Sequence, residues 1–152
     1  MVDINVGRLA RWLRAMGYDA ALFTSHDDSD LVRTALKEGR IVLTKDGGIA
    51  QRRVATTGRL RVLHLRSDSV PEQLRQVVAA FSLDPTHHPF SLCLECNQPL
   101  KERPKDEIKG QVPPYVFRTQ QEFSQCPSCG RIYWQGTHWE AMSRRLRELE
   151  AA

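Results

Sequence analysis

Two Cys-x-x-Cys pairs, Cys93-Leu94-Glu95-Cys96 and Cys126-Pro127-Ser128-Cys129, constrain this chain more than any other feature. A tight turn lets both thiolates of one pair reach a single ion, and two such turns complete a tetrahedral sulfur set. The pairs use all four cysteines of the chain, so no thiol is left for another task. Gly130, directly after the second pair, suits a backbone folding closely beside the ion. The opening Met1-Val2-Asp3-Ile4-Asn5 has no basic segment leading into an apolar one, so no secretory signal is read and a cytoplasmic location is expected. In a reducing compartment such cysteines point to Zn²⁺ rather than to disulfides or redox pairs. The long insert between the pairs is tolerable because loop closure costs grow slowly with length. A closed four-sulfur site does no chemistry. Its task is to fold a segment too small to bury a core unaided. With four sulfurs present, His87, His88 and His138 are not needed as ligands.

Upstream of the cysteines the pattern alternates. Met1 to Asp3 reads as a very short first strand. Residues 7–16 read as a helix, with Leu9, Trp12, Leu13 and Met16 on one face and Arg8, Arg11 and Arg14 on the other, ended by Gly17. Residues 20–23 form a strand candidate. A helix over 27–37, with acids in its first turn, stops at Gly39. The β-branched run Arg40-Ile41-Val42-Leu43-Thr44 reads as a buried strand, followed by a short helix over 48–54 and a strand over 61–65. Ser69-x-x-Glu72 reads as a capping box opening a helix with Leu74, Val77, Val78 and Phe81 at helical spacing. Strand–helix alternation of this kind means a parallel sheet covered by helices. Around Asp84-Pro85-Thr86-His87-His88-Pro89 the periodicity breaks, which divides the chain into a domain over 1–84 and a zinc ribbon with a C-terminal helix over 85–152. That terminal helix is read from about Trp139 to Leu149, and Val112-Pro113-Pro114-Tyr115 reads as loop.

No apolar run is long enough to span a bilayer, so no membrane partner is expected. The net charge of +4 says little alone. Its distribution says more: from Gly47 to Ser67 the chain carries Arg52, Arg53, Arg59, Arg61 and Arg66 and no acid.

Aspartates occur where a parallel sheet would present them to its cleft. Asp3 ends the first strand, Asp46 follows the Ile41–Thr44 strand, and Asp27, Asp28 and Asp30 open the second helix. Each alone is an ordinary cap or turn residue. Together they form an oxygen donor set of the kind that binds Mg²⁺ or Mn²⁺, because crowded carboxylates repel until a divalent cation neutralises them. The chemistry implied is metal-dependent hydrolysis of phosphodiesters.

The run Asp3-x-x-x-Gly7-Arg8-Leu9-Ala10-Arg11-Trp12-Leu13-Arg14-x-x-Gly17-Tyr18-Asp19 resembles the opening of the PIN-like C-terminal RNase domain of the Mut-seven exonuclease family. Asp28-x-x-Leu31-x-x-x-Ala35 and Arg40-Ile41-Val42-Leu43-Thr44-Lys45-Asp46 are similar to that family's next two motifs, in order. So are the two cysteine pairs, the Val112–Val116 segment between them, and Tyr133-Trp134-x-Gly136-x-His138-Trp139 after them. The resemblance implies a PIN-like α/β fold fused to a zinc ribbon and a metal-dependent ribonuclease. Its acidic positions carry over onto Asp3, Asp28 and Asp46, with Asp30 competing for the middle place. Asp68, after the last strand, is a candidate fourth acid. Two departures carry expectations of their own. Only Met1 and Val2 precede Asp3, which predicts a frayed or weakly paired first strand. Gly47-Gly48 replaces a charged pair, which predicts a mobile loop.

RNA is therefore the expected partner. Arg8, Arg11, Arg14, Arg52 and Arg53 are candidates for phosphate contacts. Tyr115 is the best candidate to stack on an unpaired base. Phe117 and Tyr133 are further ring candidates, while Trp134 and Trp139 are expected in the ribbon's small core. The alternatives are a non-catalytic RNA-binding module, in ribosome or tRNA association, and a protein adaptor docking through the ribbon.

Overall fold

The computed structural model describes residues 1–151. It divides into two compact units: Met1–Leu13 with Ala20–Leu83, and Arg14–Asp19 with the chain from Asp84 onward. Ala152, the last residue of the expected ribbon domain, lies outside the described residues.

The first unit is built on four parallel strands, β1 (Val2–Asp3), β2 (Leu22–Phe23), β3 (Val42–Thr44) and β4 (Val62–His64), in the order β2-β1-β3-β4. The first strand is short but not frayed. Val2 pairs with Leu22 on one side and Leu43 on the other, so β1 lies inside the sheet. The N-terminal ammonium donates to the Ile41 carbonyl at 2.7 Å, and the Leu43 N–H donates to the Met1 carbonyl at 2.9 Å. An interior parallel strand is covered on both faces, and Met1, Val2 and Asp3 are all buried. Two residues suffice because the neighbours on both sides supply the ladder.

Helix α1 (Arg8–Ala15) begins after a 3₁₀ turn over Ile4–Val6. Leu9, Leu13 and Met16 are buried, as their helical spacing requires. Helix α2 (Asp28–Glu38) is capped by Asp27, whose side chain accepts from the N–H groups of Ser29 and Asp30, and ends at Gly39 with φ of 65°. The left-handed conformation there is one that glycine adopts without Cβ strain. Leu31, Val32 and Ala35 of α2 pack with Met1, Val42, Ile49 and Leu60 into the unit's core.

The short helix expected over 48–54 is two helices, α3 (Gly47–Gln51) and α4 (Arg53–Thr56), separated at Arg52 by an extended ψ of 145°. Gly47 and Gly48 are therefore the first turn of a helix rather than a mobile loop. Helix α5 (Val70–Phe81) starts without the expected capping box. The Ser69 hydroxyl caps nothing, and Glu72 instead accepts a hydrogen bond from the Ser67 hydroxyl.

The second unit contains an antiparallel sheet, β5 (Lys101–Arg103), β6 (Phe123–Gln125) and β7 (Ile132–Tyr133), in that order. Helix α6 (Pro114–Thr119) occupies the segment expected to be loop; Pro114 opens it, where a missing N–H costs no helical bond. Ile108, Val112, Val116 and Phe123 form a small core, covered by Phe117, Ile132 and Trp134. The terminal helix α7 (Thr137–Ala151) starts two residues earlier than its periodicity suggests. Trp139 of α7 packs on Phe90, with ring centroids 5.0 Å apart. None of the described helices is long and apolar enough to cross a membrane.

Candidate functional site: an acidic centre and a four-cysteine cluster

In a parallel sheet every strand ends at the same edge, and side chains there converge. Val2 faces Leu43 in register, which sets Asp3 beside Thr44. The Thr44 hydroxyl, fully buried, donates to Asp3 Oδ2 at 2.7 Å and accepts from the Asp46 N–H at 2.9 Å. Asn5 Nδ2 approaches the same oxygen at 3.5 Å, and Asn5 Oδ1 accepts from the Lys45 N–H at 3.4 Å. One hydroxyl, with one proton and two lone pairs, thus fixes the end of β1 against the turn that carries Asp46. Asp46 caps α3 by accepting from the Gly48 N–H at 2.8 Å.

Asp28, in the first turn of α2, completes the group. Its carboxyl is held above the ordinary carboxylate range, first by partial burial, then by a shared hydrogen bond with Asp46 and by the negative charges of Asp46 and Asp3. Arg52 acts in the opposite direction and also donates to the Ser29 hydroxyl at 3.3 Å. The structure therefore brings Asp3, Asp28 and Asp46 into electrostatic contact. Asp30 is placed differently: its carboxylate pairs with Arg33 at 2.6 Å on the helix surface. Asp68 is paired with Lys45. A cavity of about 420 Å³ is lined by Ile4, Asn5, Gly7, Arg8, Asp68 and Gln73, among others; Asn5 is the residue it shares with the hydrogen bonds around Thr44.

The expected arginine stripe separates into three environments. Arg8 is exposed and lines that cavity. Arg11 is half-buried. Arg14 is 6% exposed, and its guanidinium donates to the carbonyls of Leu94 at 2.8 Å and Glu95 at 3.2 Å. Helical spacing put Arg14 with the solvent-facing basic residues; packing within the second unit removes it from open solvent, so it is not available as a phosphate contact. Arg52 flanks the acids, and Arg53 is exposed on α4. Tyr115 stands 62% exposed in the first turn of α6.

The second site is the cysteine cluster. The sulfurs of Cys93, Cys96, Cys126 and Cys129 all lie within 4.8 Å of one another, and Cys93 to Cys129 is 3.8 Å. A tetrahedron with Zn–S bonds of about 2.3 Å has edges of about 3.8 Å, so the donor set fits zinc in both chemistry and size. The two turns are built alike. Asn97 N–H donates to the Cys93 carbonyl and Gly130 N–H to the Cys126 carbonyl, both at 2.9 Å. Asn97 and Gly130, each directly after a second cysteine, both take the left-handed conformation, with φ of 62° and 77°.

Burial opposes ionisation of Cys93, but the Tyr133 hydroxyl at 3.2 Å and the N–H groups of Cys96 and Glu95 overcome it and lower its pKa to about 7. Cys96, sharing hydrogen bonds with Cys129 and the other sulfurs, is pushed up to about 12. Cys93 and Cys96 oppose each other's ionisation until a cation lies between them. Tyr133 is thus turned to the sulfurs rather than offered to a base. Among the described residues this is the one group of three or more metal-type ligands packed so closely.

Two features define the class of this protein: a parallel α/β sheet that gathers acids at its carboxyl edge, and a small antiparallel sheet accompanied by four clustered cysteines. The chain belongs to the Mut7-C RNAse domain family, whose model matches residues 1–146. No curated protein and no solved structure matches it. Family membership points to hydrolase activity of the ribonuclease type, with RNA as the substrate class.

The roles of Thr44, Asn5 and Tyr133 are not apparent from the motifs. The one local signal was a hydroxyl at the end of a buried apolar strand, two residues before an acid.

Proposed function

We propose that this chain is a ribonuclease of PIN type that hydrolyses RNA phosphodiester bonds at a Mg²⁺ or Mn²⁺ centre held by Asp3, Asp28 and Asp46, with a zinc ribbon assisting RNA binding. The observation that carries this reading is the crowding at Asp28, whose carboxyl is raised by burial and by two acidic neighbours. Such an arrangement is costly for an empty site and favourable for one that binds a hard cation. When bound, the cation supplies charge stabilisation to the phosphoryl oxygens and a nucleophile of lowered pKa.

The chain's own residues do the rest. Thr44 and Asn5 fix Asp3 relative to Asp46, so the donor set is organised before substrate arrives. Arg52, beside Asp28, is placed to meet a phosphate oxygen. Arg8 carries positive charge along the cavity that Asn5 also lines. Its mixed lining, with exposed Ile4 beside polar groups, suits an unpaired nucleotide next to the scissile phosphate. Asp28 rather than Asp30 is the middle acid, because Arg33 occupies Asp30. Cys93, Cys96, Cys126 and Cys129 hold Zn²⁺ and give the second unit its fold.

Labelled single-stranded RNA incubated with Mg²⁺, with Mn²⁺ or with EDTA tests the reading. Cleavage is expected with either cation, none with EDTA, and none from Asp46→Asn, in which Asn still caps α3. RNA binding without cleavage under any of these conditions would leave the non-catalytic RNA-binding module as the correct description.

A further inference from the structure

The segment Arg14–Asp19 belongs to the second unit, with the cysteines, although it lies far from them in sequence. Its backbone is docked at two points: the Met16 carbonyl accepts from the His88 N–H at 3.1 Å, and the Ala15 carbonyl from the Phe90 N–H at 2.8 Å. Gly17, at φ of 92°, passes so close to His88 that a Cβ would lie 2.4 Å from its carbonyl oxygen. The two ends of the segment both reach the first cysteine turn. Arg14 binds the carbonyls of Leu94 and Glu95, the two residues between Cys93 and Cys96. Asp19 accepts from the side-chain amide of Asn97, the residue after Cys96, at 2.6 Å.

Charge adds to geometry. Zinc bound by four thiolates carries a net charge of −2. A buried cation is costly unless paired, and Arg14 is buried. Burial lowers its pKa, while the negative charges of Cys93, Glu95, Cys96 and Asp19 oppose that shift. The guanidinium thus has its partners in the sulfur cluster and the loop around it. The second turn is steadied differently, by Gln125, whose amide donates to the Gly130 carbonyl at 2.8 Å and whose carbonyl accepts from Arg103.

We infer that Arg14–Asp19 is an outer shell of the zinc centre, in which Arg14 is the counter-cation that retains the metal and Asp19 the clamp that shapes the first cysteine turn. Arg14 is a positioning residue, since it acts through the sulfurs and touches no substrate. Outer-shell partners of metal ligands are worth roughly 10–100-fold in metal affinity.

The test measures zinc release from the full chain to excess 4-(2-pyridylazo)resorcinol, together with the sulfur-to-metal charge-transfer band of the Co²⁺-loaded protein. Arg14→Met, which keeps the stem and removes charge and donors, should release zinc roughly 10–100-fold faster than wild type and shift the Co²⁺ band. Arg14→Lys, which keeps the charge but not the planar fork, should fall between the two in release and leave the band in place. Arg118→Met, an exposed arginine on α6, should match wild type. Wild-type release and an unmoved band in Arg14→Met would overturn the inference. If Arg14→Met does not fold, Arg14→Lys decides: faster release supports the outer-shell role, and wild-type release rejects it. Neither readout depends on nuclease activity, so this result stands apart from that of the cleavage assay.

Discussion

Thr44→Val is the most informative single change in the acidic centre, because it alters hydrogen bonding at nearly constant volume. Thr44 is fully buried, and its hydroxyl donates to Asp3 and accepts from the Asp46 N–H. A hydrogen bond to a charged group contributes about 1.5–3 kcal/mol, and a backbone N–H left without an acceptor costs about 1–3 kcal/mol. Burying a methyl in place of the hydroxyl returns about 0.8 kcal/mol. The net loss is about 2–5 kcal/mol, a large fraction of the 5–15 kcal/mol of a typical domain. With an m-value near 2 kcal/mol/M, the urea midpoint should fall by roughly 1–2.5 M. RNA cleavage should fall as well, since Asp3 and the Asp46 turn lose their common tie. Thr44→Ser keeps the hydroxyl and should retain most of the activity. A Val variant with wild-type midpoint and cleavage would refute the reasoning, as would Ser and Val variants equally impaired.

Three further outcomes are expected. A carboxyl that holds its proton more tightly in the folded chain stabilises the fold at low pH and loses that contribution as pH rises through its folded value. Asp28 is such a group, so in Mg²⁺- and Mn²⁺-free buffer the urea midpoint should fall as pH rises through its raised value, and Asp46→Asn should flatten the profile; a slope unchanged in the variant would contradict the crowding. Gly17→Ala should destabilise the second unit by more than about 1 kcal/mol, because the residue takes positive φ and its Cβ would strike the His88 backbone; a wild-type melting curve would count against this packing. Arg8→Gln should weaken RNA binding and make its log–log salt slope shallower by about 0.7 for one single-strand contact, whereas Tyr115→Ala should cost about 1–3 kcal/mol with little change in slope. Equal salt dependence in the two variants would remove the distinction between phosphate and stacking contacts.

Much of this architecture is legible from local chemistry. The β-branched run before Asp46, the acids ahead of Leu31, and Gly39 after Glu38 each specify an element or its end within a few residues. The four cysteines name their ligand set because a Cys-x-x-Cys turn is itself a local geometry. Asp3 and Asp46 are likewise placed by strand ends, which sequence marks.

What tertiary structure alone decided depends on partners distant in the chain. Two residues make an interior strand only because β2 and β3 flank them. Thr44 acquires its role from Asp3, and Asp28 is distinguished from Asp30 by meeting Asp46 and Asp3. Arg14 shows the difference most clearly. Periodicity assigns it to the same face as Arg8 and Arg11, because a helix repeats its own geometry. Which of those three side chains is taken by another segment is set by the docking of residues 84–97 on that helix end, and no spacing within the helix encodes it.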